Sequence, residues 1–161
     1  MAKKTYNEKL NHKGDLPKVE EITDERYIAM YGGVNMAIAP PIEYNEIMKK
    51  IPKGKVITSI EIRQAIAKKY NADYTCQMTA GIFINIVANA SKEREIEGGK
   101  DLVPYWRTLK KDGELNEKYP DGIDGQKMLL ETEGHVVIQK GKRYFVKEYQ
   151  DKLCKISTMK G

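Results

Sequence analysis

From residue 42 onward the apolar positions fall into helical spacing, and the residues between them mark where each helix begins and ends. Ile42, Ile47, Met48 and Ile51 form the first such set. Pro40-Pro41 opens it, because proline suits a first helical turn, and Pro52-Lys-Gly54 closes it. A short link, Val56-Ile-Thr-Ser59, offers Thr58 or Ser59 as the cap of a second helix over 60–70, with Glu61 in its first turn and Lys68-Lys69 in its last, where the helix dipole favours them. Asn71-Ala-Asp-Tyr-Thr75 turns the chain into a third helix over 76–90, in which Met78, Ile82, Ile86 and Ala90 recur every four residues as an apolar stripe. Two helices joined by a short turn predict a helix-turn-helix. Residues 91–100 read as an extension of the third helix or as a solvated loop. Asp112-Gly113, Pro120-Asp-Gly122 and Asp124-Gly125 mark turns, residues 126–133 a short helix, and residues 136–146 a hairpin turning at Lys140-Gly141. Before all this, Gly14, Pro17, Gly32, Gly33, Pro40 and Pro41 break up the first forty residues. They predict an irregular arm or lid over 1–40 ahead of a domain over 41–161. Residues 22–28 and 34–38 are strand-like pieces able to pack on the body.

At 161 residues with 40% apolar positions, the chain fits one compact α+β domain with an arm. The longest apolar stretch, 78–90, is interrupted by Thr79, Asn85 and Asn89 and is too short to span a bilayer. The first fifteen residues lack the apolar core of a secretory signal. The expectation is a cytoplasmic monomer with no membrane partner, in which Cys76 and Cys154 are reduced thiols. The net charge of +5 changes the picture through its placement: residues 136–161 hold seven Lys/Arg against two Asp/Glu, while residues 1–135 hold 21 of each. A basic patch on a neutral body points to a polyanion, since each cation that neutralises a phosphate releases counterions, or else to a solubilising tail. Lys140, Lys142 and Arg143, in a basic hairpin after a helix-turn-helix, give winged-helix logic: one helix in a groove and a wing on the backbone. His12 and His135 are the only histidines and no metal-ligand spacing occurs, so neither a metal nor a cofactor is expected. Gly98-Gly99-Lys100 lacks the remaining residues of a phosphate-binding loop.

Five short pieces then follow in a definite order: Ile51-Pro-Lys-Gly-Lys-Val-Ile-Thr58, Thr79-Ala-Gly81, Val103-Pro-Tyr-Trp-Arg107, Asp112-Gly-Glu-Leu115 with Tyr119-Pro-Asp-Gly122, and Gln126-Lys-Met-Leu-Leu-Glu-Thr-Glu-Gly134. In that order, over a little more than half the chain, they resemble the C-terminal DNA-binding domain of the O6-alkylguanine-DNA alkyltransferases and their non-catalytic branch, the alkyltransferase-like proteins. The pieces match, in turn, the family's helix-to-turn entry, the small residues of its recognition helix, its Pro-Cys-His-Arg motif, its substrate loop and its final Leu-Leu, Glu-Gly helix.

The departures from the family decide the chemistry. Tyr105 stands where the alkyltransferases place the alkyl-accepting cysteine, and Trp106 where they place the histidine that relays its activation. Alkyl transfer needs a thiolate made by an adjacent base, and a phenol with its ordinary pKa of about 10 is a poor substitute. The resemblance therefore implies a protein, not an enzyme, that binds double-stranded DNA carrying alkylated guanine and leaves repair to a partner protein. Reading the lesion this way means rotating the base into a pocket. Tyr105, Trp106 and Tyr119 supply aromatic surface for it, and Arg107 with Glu133 fixes the loop. The family's arginine finger falls on Gln77 or Met78 and its phosphate-rotating tyrosine on Ser59. DNA contacts are thus expected at Ser59, Gln77, Met78, Thr79 and Gly81, together with Lys140, Lys142 and Arg143. Without the finger and the tyrosine, flipping is harder, which leaves open a duplex reader that extrudes no base, a different modification, or RNA. Two alternatives stay beside this reading: a sequence-specific winged-helix regulator, and an alkyltransferase whose nucleophile is displaced, for example to Cys76.

Overall fold

The computed structural model describes residues 4–156. The helical spacing after residue 41 resolves into three helices. α3 (Pro41–Lys49) carries Pro41 in its first turn and buries Tyr44, Asn45 and Met48. α4 (Ser59–Lys69) is capped by Thr58: its hydroxyl oxygen accepts from the Ile60 N–H, while the Glu61 carboxylate accepts the Thr58 N–H at 2.9 Å. α5 (Gln77–Ile96) continues well past residue 90, so the charged stretch begins as helix. Its buried side is made by Ala80, Ile84, Val87, Ala88, Ala90 and Ser91. Of the four-residue series read from the sequence, only Ala90 belongs to that side. Met78 and Ile82, two other members of the series, are 72% and 51% exposed.

The first forty residues are not the irregular arm expected from their glycines and prolines. They contain α1 (Tyr6–Asn11), β1 (Lys18–Glu21), α2 (Glu25–Tyr31) and β2 (Asn35–Ile38). β2 lies at the centre of a three-stranded sheet, antiparallel to β1 and parallel to β4 (Tyr74–Thr75), the short strand that leads into α5. Ala37 and Ala39 are fully buried and share one hydrophobic cluster with Leu10, Tyr44, Met48 and Ile84, so a single core runs across residue 40. The apparent breakers serve this arrangement. Gly32 closes α2 at φ 80°. Gly33 lies so close to Asp73 that a Cβ would meet its carboxylate, which accepts the Val34 and Asn35 N–H groups at 3.0 and 2.9 Å. Residues 22–28, read as strand-like, run instead into α2.

A second, smaller cluster of Val56, Leu109, Leu115, Leu130 and Val146 gathers the rest of the chain. It joins β3 (Ile57–Thr58), which pairs in parallel with β5 (Thr108–Leu109), to α6 (Gly122–Thr132) and to the hairpin of β6 (Val137–Lys140) and β7 (Arg143–Val146). The hairpin matches its expected span, and α6 starts earlier than expected, directly at the Pro-Asp-Gly turn. Among the described residues no helix is long and apolar enough to cross a membrane, and no group of three or more His, Cys, Asp or Glu could hold a metal ion.

Candidate nucleic-acid interface

After Pro104 the chain makes a 3-10 turn over Tyr105–Arg107 that buries Tyr105 and leaves Trp106 and Arg107 half-buried. Tyr105 is 5% exposed and meets Trp106 and Tyr119 edge to face, with ring centroids 5.4 and 5.3 Å apart. The Tyr119 hydroxyl donates to the Thr108 carbonyl at 2.8 Å. Burial raises the pKa of both phenols, and neighbouring charge only partly offsets this at Tyr105 through Lys92. The turn is clamped by Glu133. Arg107 donates to it from Nη2 at 2.6 Å and from Nε at 2.9 Å, Trp106 Nε1 donates at 3.1 Å, and Arg107 Nη1 also reaches the Ile51 carbonyl at 2.6 Å. Burial alone would raise the Glu133 pKa, but the hydrogen bonds from Arg107 and Trp106 outweigh it and hold the carboxyl below its ordinary value.

Beside this dry cluster, the N-terminal half of α5 and the 109–119 segment enclose an open cleft of about 510 Å³. The segment is positioned by amides. The Asn116 side chain donates to Asn85 Oδ1 on α5 at 2.9 Å, and Asn89 donates to the Lys118 carbonyl at 3.4 Å. Fully buried Gln126 accepts the Asn116 N–H at 2.7 Å and donates to the Trp106 carbonyl at 3.1 Å, which ties the cleft wall to the 105–107 turn.

Four of the residues expected to contact DNA line the cleft: Ser59, Gln77, Met78 and Gly81. A Cβ added at Gly81 would meet nothing within 4 Å, so no internal packing demands glycine there. Thr79 turns to the other flank of α5, where it lines a second groove. Of the five base-pocket candidates, Tyr119 lines the cleft, whereas Tyr105, Trp106, Arg107 and Glu133 do not. The hairpin holds Lys140 and Lys142 exposed. Arg143 is instead engaged in a two-pronged pair with Glu114, at 3.1 and 2.8 Å, and stacks over Phe145 at 5.0 Å from the ring centroid. That pair and the Glu114–Phe145 bridge fasten the hairpin to the segment that walls the cleft.

Sequence reading missed the cleft's own charge. Arg63, Lys110, Lys111 and Lys118 line it against a single carboxylate, Glu117, which lies 3.5 Å from Lys110. No local signal marks them, because they belong to the part of the chain whose charges balance and are gathered only by folding. Neither cysteine lines the cleft. Cys76 precedes α5 without a side-chain cap bond, and Cys154 is buried, which pushes its thiol pKa up.

Neither a protein-family model nor a curated protein sequence matches the chain. Among solved structures, the fold is similar to that in a crystal structure of S. pombe Atl1 in complex with damaged DNA containing O6-carboxymethylguanine, with a TM-score of 0.51 and 21% identity over 71% of this chain and 94% of that one. At this identity the likeness establishes an α+β fold of the helix-turn-helix type.

Proposed function

We propose that this chain binds double-stranded DNA through the open face of α5 and recognises alkylated or otherwise modified bases without transferring the alkyl group. The observation that carries the reading is the cleft: an exposed helix face of Met78, Gly81 and Ile82 beside a wall bearing Arg63, Lys110, Lys111 and Lys118. A helix enters a groove by its exposed side chains while flanking cations take the phosphates. Met78 and Ile82 are the kind of apolar residues that wedge between base steps and open the stack. Lys140 and Lys142 act as a wing on the adjoining backbone, with Arg143 fixing the wing to the cleft wall. The likeness to Atl1, solved in complex with damaged DNA, supports the same class of partner. Tyr105 in the nucleophile's seat, buried and protonated at neutral pH, supports recognition without chemistry, and its neighbours Trp106 and Tyr119 are not bases. We further propose that the chain acts inside the cell and hands the lesion to a repair protein.

The burial of Tyr105, with Trp106 half-buried and tied to Glu133, favours a second reading, in which the protein reads the groove of an intact duplex and has no base pocket. Titration against two duplexes that differ only by one O6-methylguanine separates them. The first reading predicts tighter binding to the modified duplex and a protein mass unchanged after long incubation. Equal affinity for both duplexes selects the groove reader. A methyl group acquired by the protein overturns the non-catalytic assignment.

A further inference from the structure

The groove lined by Thr79 differs from the cleft in its make-up. It encloses about 440 Å³ between the N-terminal segment and α5. Ile38 and Pro41 form part of its floor, and Leu16, Phe83 and Ile86, which are only half-buried, leave apolar surface open within it. Covering such a surface releases the water held against it. The rim is cationic: Lys4, Lys9, Lys13 and Lys18 stand along it, and Asp15 is its one carboxylate. Lys18 is neutralised by Asp15 and Glu20, each at 3.0 Å. Lys9 lies over the Tyr6 ring, 5.0 Å from its centroid, and Lys4, Lys9 and Lys13 have no ion pair among the described residues.

The wall that carries these lysines is held firmly. The Glu93 carboxylate of α5 accepts the Tyr6 and Asn7 backbone N–H groups at 2.9 and 3.0 Å. The Asn7 side chain donates to the Ala90 carbonyl at 2.9 Å and accepts from Arg94 Nη1 at 2.6 Å, and Leu10 is buried beneath. A groove fixed in this way spares its occupant the cost of ordering it. Its two halves together select the occupant. A nucleic-acid backbone would satisfy the lysines and leave the floor uncovered, while a neutral apolar segment would cover the floor and leave three cations unmatched. A polypeptide with apolar side chains flanked by carboxylates matches both.

We infer that this groove docks a short acidic segment of a protein partner, whose apolar side chains cover Leu16, Phe83 and Ile86 while its carboxylates meet Lys4, Lys9 and Lys13. The inference goes beyond DNA binding and does not depend on it. Its test is the fluorescence anisotropy of a short labelled peptide of Glu and Leu, with the leucines three and four residues apart so that they share one helix face. The unaltered chain should bind this peptide and bind a peptide of Glu alone far more weakly. Lys4→Glu with Lys13→Glu should weaken binding roughly tenfold, as two rim pairs turn repulsive, and should favour the same peptide with Lys in place of Glu. The same charge change at the far end of α3, Lys53→Glu with Lys55→Glu, should matter far less. Ile86→Ala, shown to remain folded by circular dichroism, removes part of the floor without touching the charge and should weaken peptide binding about fivefold. Its affinity for a DNA duplex should stay unchanged. No binding by the unaltered chain, equal binding of the Glu-only peptide, or an equal loss in the Lys53 and Lys55 control overturns the docking site. A duplex affinity that falls with Ile86→Ala as far as the peptide affinity assigns the groove to nucleic acid and overturns it as well.

Discussion

The 105–107 turn and the outer face of α5 are physical opposites. In the turn, each polar group on Trp106 and Arg107 that points inward finds a partner, and Glu133 serves both side chains at once. On α5, a methionine and an isoleucine stand exposed, and a glycine sits within the helix where no internal packing requires one. The first region is built to be stable. The second gives up stability, which is what a surface kept for a partner does. The Pro-Tyr-Trp-Arg piece of the family resemblance therefore lies in the scaffold, and the proposed interface falls where good folding is given up.

The contrast between the two regions is most exposed to test at Arg107. Arg107→Ala leaves the Glu133 carboxylate without a counter-charge, held only by Trp106 and Gly54, and takes the Nη1 donor from the Ile51 carbonyl, and should cost about 3–5 kcal/mol in urea denaturation. A cost below about 1 kcal/mol, the range of an exposed pair, would mean that the clamp is not structural. Acid should weaken the same region in two stages. Burial lowers the pKa of His135, which stays neutral inside while its unfolded form takes a proton. Its contribution is full above about pH 6.5 and falls as the pH drops toward its folded pKa. Glu133, also lowered, contributes above about pH 4.3 and loses that contribution as the pH falls through its folded pKa. Urea midpoints from about pH 7.5 down to about pH 2.5 should decline accordingly, and His135→Gln should remove the upper stage alone.

On the α5 face the expected signs reverse. Gly81→Ala should stabilise the fold by roughly 1 kcal/mol while weakening duplex binding, because the added methyl stands where a base edge or sugar approaches. An increase in both would show that no partner comes near this backbone. Met78→Ala should leave stability within about 0.5 kcal/mol, as for other exposed sites, and lower affinity for the modified duplex more than for the plain one. An equal drop for both duplexes would reduce Met78 to a general contact.

What the sequence made legible was local. Thr58 and Glu61 announce the start of α4 because a capping box spans four neighbouring residues, and the hairpin over 137–146 follows from alternation around one glycine. What it hid was gathered from a distance. Residues 34–38 read as strand-like from their own pattern, but nothing local shows that β2 lies at the centre of a sheet, with Met36 and Ala37 paired to Tyr74 and Thr75. Apolar periodicity found Met78 and Ile82 but not which way they face, since it is blind to whether an apolar stripe meets a core or a partner. The cleft's cations were invisible for the same reason as the pairing of β2 with β4: Arg63 and Lys118 come to line one cleft only after the chain folds.

Hydrogen exchange of the chain, measured alone and with a duplex carrying one O6-methylguanine, tests the placement of the interface most directly. The account predicts slowed exchange in peptides covering residues 77–85 and 109–118. Slowing confined to other segments, with the N-terminal half of α5 unchanged, would contradict it.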